Sequence, residues 1–134
     1  MIPASDRWQH LEPFVRKLFK ERIEKYDQIM VMTHDVAIIA QTYQLPMEIV
    51  QRAKDYAFGW GVAQYQLYPD LDMANAWLRL AQNQGTWIDK VLLDHEIYES
   101  NLVINQGLSQ TEAHDLTQLK FPWSVLVKES QNEQ

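Results

Sequence analysis

The stretch TWIDKVLLDHEIYESNLVINQGLSQTEAH, residues 86–114, decides the fold. Before Gly107 it has helical periodicity. Ile88, Val91, Leu92, Leu102 and Val103 recur at steps of three and four and make one apolar stripe. His95 and Glu99 fall in the middle of that stripe. Burying an unpaired carboxylate is costly, so titratable groups at core positions need partners. Four residues apart, the two side chains also project from one helix face, which suits joint binding of a cation or a polar ligand. Thr86 caps this helix, and Gly107 stops it in the manner of a left-handed cap. Ser109 and Glu112 then form the Ser-x-x-Glu pattern of a capping box and start a second helix. His114 lies about one and a half turns into it. Glu99 lies a similar distance before the turn, about 9 Å at ~1.5 Å per residue. Folded back as a hairpin, the helices bring Glu99 and His114 level, and His95, Glu99 and His114 converge with Glu96 beside them.

Asp94-His95-Glu96-Ile97-Tyr98-Glu99 carries the strongest chemical signal. His-Glu-x-x-His on a helix is the zinc-peptidase motif, in which the histidines hold metal and the glutamate activates water. Here Glu99 replaces the second histidine, which makes the motif less specific. His95, Glu99 and His114 form a two-histidine, one-carboxylate set for a divalent metal such as zinc or manganese, and Glu96 is the candidate base. Without a metal, His95 and Glu99 form an acid/base pair in which Glu99 raises the imidazole pKa. The plain structural alternative is that the pair bonds to itself and to buried backbone. His114 has only polar helix neighbours at three and four residues, Gln110, Thr111, Thr117 and Gln118, which also suits a water-facing histidine.

Working outward, residues 1–12 read as a lead-in, 13–129 as one helical domain and 130–134 as a frayed end. Pro13 opens a helix whose stripe is Phe14, Val15, Leu18, Phe19, Ile23 and Tyr26, with a solvated charged face. Ile29–Met32 is ambiguous between buried helix and short strand. A helix over 34–43, capped by Thr33, and another from Pro46 to about Phe58 have helix-turn-helix spacing. The second carries Glu48, Gln51, Arg52, Lys54 and Asp55 without a basic excess, so it reads as a structural hairpin rather than a DNA reader. Gly59-Trp60-Gly61 marks a bend with a close backbone approach, and residues 62–68 a short helix. Asp70 caps a helix with the stripe Met73, Ala76, Trp77 and Leu80. Pro122 forbids a continuous helix through 121–127, leaving an extended piece or a short final helix. The sum is an all-α single compact domain of about six helices with short connections. Trp60, Trp77 and Trp87 read as core rather than as a stacking platform. His10 and His34 read as surface or capping residues, while Arg79 and Lys54 are candidates to bind an anionic substrate group.

The chain has 134 residues, a formal net charge of −6 and no cysteine. That length suits one domain with a real core. The acidic balance disfavours a nucleic-acid clamp, because phosphate binding normally brings a basic face. Without cysteine there are no disulfides and no thiolate metal sites. No apolar run suffices to span a bilayer and no signal-peptide order opens the chain, so a soluble protein is expected. Ser100 and Ser109 have ordinary helix and cap explanations, and no nucleophile arrangement or glycine-rich phosphate loop stands out.

Taken in order, the motifs resemble a known group. They are Val36-Ala37-Ile38-Ile39-Ala40 through Leu45 and Ile49, then Lys54-Asp55-Tyr56-Ala57-Phe58. Ala76-Trp77-Leu78-Arg79-Leu80 follows, then Leu92-Leu93-Asp94-His95-Glu96-Ile97-Tyr98-Glu99, and Ala113-His114 after a glycine turn. Over roughly residues 34–123 the chain resembles the small helical toxin domains at the C-termini of bacterial polymorphic toxins and some phage-head-associated proteins. Tyr56 stands where that pattern has histidine. The resemblance implies a secreted effector domain, an enzyme acting in a target-cell cytoplasm and neutralised by a cognate immunity protein. On this reading the chain is a hydrolase using His95, Glu96, Glu99 and His114. The alternative from another class is a non-catalytic acidic helical binding protein, an immunity or adaptor protein, in which the His/Glu cluster is structural.

Overall fold

A computed structural model describes residues 7–59 and 67–132. Every regular element among them is helical. They are α1 (Pro13–Leu18), α2 (Lys20–Val31), α3 (Asp35–Tyr43), α4 (Met47–Phe58), α5 (Leu71–Ala81), α6 (Trp87–Ser100), α7 (Gln110–Lys120) and α8 (Trp123–Asn132). A π-helical turn, Asn101–Asn105, extends α6. The all-α expectation holds, but the described residues contain eight α-helices rather than about six.

Two of the extra helices have local causes. The expected first helix breaks at Phe19, whose φ of −101° and ψ of 25° leave the helical range, and the chain restarts as α2. In the ambiguous Ile29–Met32 run, Ile29 to Val31 are the end of α2, with Ile29 fully buried, and Met32 follows in extended backbone. After Pro122 the chain resumes as α8, which continues through 130–132, so the expected frayed end is helical there. The N-cap position of α3 is His34, not Thr33, and its exposed side chain makes no cap hydrogen bond. Residues 60–66, including Trp60 and most of the expected short helix over 62–68, lie outside the described residues. Gly59 does show the expected close approach: a Cβ there would stand 2.6 Å from the Asp55 carbonyl oxygen.

The main core is aromatic. Tyr26 of α2 meets Phe58 of α4 edge-on at 4.9 Å, and Phe58 meets Trp77 of α5 at 5.4 Å. Val36, Ile39, Val50, Leu80 and Leu93 close around them. Trp77 is fully buried as expected, but Trp87 at the start of α6 is 67% exposed, while Asp89 two residues on is buried against α5. The described part of the lead-in, from Arg7 on, is tied to the core. Trp8 is buried and donates to Asp27, Arg7 pairs with Asp27, and His10 bonds the Leu67 carbonyl. Among the described residues no helix is long and apolar enough to cross a membrane.

α6 is the central strut, in contact with α4, α5, α7 and α8. Its start is fixed by a full capping box. The Thr86 hydroxyl accepts from the Asp89 amide, and the Asp89 carboxylate accepts from the Thr86 amide. At its far end the i−5 hydrogen bond from Gln106 to Asn101 widens the helix by one residue. Gly107 follows with φ of 74°, a left-handed conformation that glycine adopts without a steric cost. Ser109 then caps α7 by accepting from the Glu112 amide. The helical hairpin is therefore formed as the sequence expects.

Candidate functional site

The hairpin closes over a small apolar cluster of Tyr56, Leu102, Val103 and Ala113, flanked by Tyr98 and Leu108. Ala113 is fully buried, and its small side chain admits the close approach of α7. One residue further on, His114 is carried to the lip of the hairpin with its side chain 54% exposed. Glu99 and His95 face it from one turn apart on α6, both buried.

The three side chains meet at one oxygen. Glu99 Oε1 lies 3.2 Å from His95 Nε2 and 2.9 Å from His114 Nδ1. The two imidazole rings stand 5.4 Å apart, inclined by 59°. One donor atom from each of His95, Glu99 and His114 falls within 4.8 Å of the others. Donors ~2.0–2.1 Å from a tetrahedral ion are about 3.3 Å apart, so the contacts to Oε1 are close to those of ligands sharing one zinc-sized cation. The expected convergence is present.

Two partners lie outside the sequence expectation. The first is Tyr56 of α4, whose hydroxyl donates to Glu99 Oε2. The second is the backbone carbonyl of Phe121, 2.9 Å from His95 Nδ1. A carbonyl only accepts, so Nδ1 carries a proton, and Nε2 is the nitrogen left for Glu99 or for a cation. Phe121 is held at the end of α7 by its amide bond to Thr117 and by its ring against Tyr98.

The electrostatics follow from this geometry. Burial alone would raise the Glu99 carboxyl, but donors from His95, Tyr56 and His114 outweigh it and hold the pKa below the usual range. Burial opposes a charged His95. The hydrogen bond to Glu99, the Glu96 charge and the Phe121 carbonyl prevail, and its pKa is raised. The Tyr56 phenol is driven far up by burial and by Glu99, so it stays a neutral O–H donor. Both His95 nitrogens face acceptors, the Phe121 carbonyl and Glu99, and the protons of the two rings point at Glu99 Oε1 and that carbonyl. A cation binding here takes the place of those between the rings and the carboxylate.

The other expected residues are placed differently. Glu96 is buried beside the cluster and is not one of the converging ligands. Burial above all, with the nearby charges of Glu99 and Asp70, pushes its pKa up to about 8. A carboxyl raised in this way holds its proton to a higher pH than a free glutamate. Lys54 is buried and paired to Asp35 at 3.0 Å, so it cannot reach a substrate in this arrangement. Arg79 is clasped by both oxygens of Asp89, at 2.7 and 2.8 Å. Neither is brought to the cluster, because each charge meets a carboxylate from another helix first.

Two open clefts flank the cluster. One, of about 420 Å³, is lined by Glu48, Gln51, Arg52, Asp55, Tyr56 and Ile104. The other, of about 260 Å³, is lined by Gln110, Thr111, His114 and Asp115. Arg52 donates to the Ile97 carbonyl and to Ser100, both at 2.9 Å, and so fastens α4 to α6 beside Glu99. Comparison with protein-family models, curated proteins and solved structures gave no match to this chain.

Proposed function

We propose that this chain is a metal-dependent hydrolase domain of the bacterial polymorphic-toxin type. His95 Nε2, Glu99 Oε1 and His114 Nδ1 would hold its divalent cation, zinc or manganese. The observation that carries the proposal is the meeting of two imidazoles on one carboxylate oxygen at a solvent-open lip. A cation there would polarise a carbonyl or phosphoryl oxygen of the substrate. His114 gives solvent access, and Phe121 orients His95 for ligation. The effector assignment is supported by the order of motifs over residues 34–123. A cognate immunity protein and action in a target-cell cytoplasm follow from that assignment, and the acidic charge makes nucleic acid the less favoured substrate.

One observation favours a second reading. Both oxygens of Glu99 already accept hydrogen bonds from protein donors. That would suit a structural cluster in a non-catalytic acidic helical binding protein, an immunity or adaptor protein. Expression in bacteria separates the two. The hydrolase reading expects growth arrest by the parent chain and relief by His95→Ala combined with Glu99→Ala. It also expects stoichiometric zinc or manganese in the purified parent and none in the double variant. Harmless expression of both forms, with no bound metal, favours the binding protein.

A further inference from the structure

Glu99 is the only carboxylate in the three-residue cluster, and how it presents its two oxygens decides what kind of cation site it makes. A carboxylate can ligate through one oxygen or both. With three protein ligands each giving one atom, a tetrahedral ion keeps a position for a solvent or substrate oxygen, as catalytic zinc sites do. A second oxygen from the same carboxylate would fill that position.

The chain has a residue set against that outcome. The Tyr56 hydroxyl donates to Oε2, while Oε1 faces the two imidazoles. A phenol hydroxyl has one proton to give, and the hydrogen bond directs it to Oε2. Tyr56 is itself fixed from two directions. Its ring is packed with Leu102, Val103 and Ala113. Its helix is fastened to α6 by Arg52, one turn earlier, through Ile97 and Ser100. Its remaining edge borders the cleft with Ile104 and Asp55.

We propose that Tyr56 is a positioning residue for the cation site: its hydroxyl occupies Glu99 Oε2, restricts that carboxylate to ligation through Oε1, and keeps one coordination position open. This rests on the cation reading given above. It also assigns a role to a side chain that the local motif does not contain.

The test compares the parent chain with Tyr56→Phe, which keeps the ring and removes only the hydroxyl. Zinc affinity is measured by competition with a chromophoric chelator, and the cobalt-loaded forms are compared by visible absorption. Expected are a roughly 10- to 100-fold loss of zinc affinity and a cobalt spectrum altered in intensity, with unchanged helicity by circular dichroism. Equal affinity and an unchanged cobalt spectrum overturn the role of Tyr56 and leave the cation site standing. Failure of the parent chain to bind zinc, cobalt or manganese overturns both. Should Tyr56→Phe not fold, the parent decides the matter by zinc-induced infrared difference spectra with labelled glutamate. A wide separation of the carboxylate stretches, the signature of one-oxygen ligation, supports the role; a narrow one overturns it.

Discussion

Lys54 and Asp35 face each other in the interior between α4 and α3, with the ammonium 3.0 Å from one carboxylate oxygen and 3.1 Å from the other. Trp77 donates to the same carboxylate at 2.9 Å, and the Met32 carbonyl accepts from Lys54 at 3.2 Å. Removing the ammonium alone leaves a buried carboxylate with a single donor. Lys54→Met should therefore lower stability by about 3–5 kcal/mol in urea denaturation. Adding Asp35→Asn, which keeps an acceptor for Trp77, should restore more than ~1 kcal/mol of that loss. A Lys54→Met variant within ~1 kcal/mol of the parent would show that the pair is not the desolvated lock its burial suggests.

His95 and His114 should separate stability from ligation. His114 is half exposed, so His114→Ala should stay within about 0.5 kcal/mol of the parent. His95→Ala leaves the Phe121 carbonyl and Glu99 short of a donor in a buried place and should cost ~1–3 kcal/mol. Both should lose zinc binding by at least about tenfold. Thermal melts and zinc titrations read the two effects separately, and parent-like zinc affinity in His114→Ala would contradict a three-residue site.

Glu96 sets a pH dependence. Its pKa, pushed up to about 8 in the folded chain, lies above that of an unfolded glutamate. The folded state then binds more protons than the unfolded state between roughly pH 4.5 and 8. This contribution is fully present below the lower value and is lost as pH rises through the higher one. His95, also raised, acts in the same sense, so Glu96→Gln is needed to isolate the carboxyl. In metal-free buffer, the gap in melting temperature between Glu96→Gln and the parent should widen in favour of the variant from pH 5 to pH 8.5. A gap independent of pH would mean that Glu96 ionises without penalty.

Gly107→Ala should cost about 1 kcal/mol through backbone strain. No atom lies within 4 Å of the added methyl, so the left-handed φ of 74° is the whole cause. An unchanged melting temperature would mean that the turn relaxes to another conformation, and zinc affinity would report whether His114 moved with it.

The parts of this fold legible in the sequence were those governed by neighbours along the chain. Thr86, Asp70, Gly107 and Ser109 announce helix ends by their own chemistry, and counting residues from the Gly107 turn already brings His114 level with Glu99. What escaped depends on packing between distant segments. Tyr56 reaches Glu99 from 43 residues away and shares no local pattern with it. The Phe121 contact is made by backbone, which carries no side-chain signature. Lys54 and Arg79 read as cations free for an anionic group until Asp35 and Asp89 are brought against them. Trp87 has the chemistry of a core residue, but it lies on the outward side of a helix turn whose inward side is taken by Asp89.

The π-helical turn at Asn101–Asn105 makes the meeting of donors a matter of length as well as chemistry. Removing a single residue there would let the helix close in regular α form and rotate all that follows by about 100° around its axis. Every donor would survive in such a shortened chain, but His114 would be turned to another side of the rod. On the cation reading, an indel in this one turn would undo the site as surely as loss of His114, and two chains with the same three donors need not share a common centre.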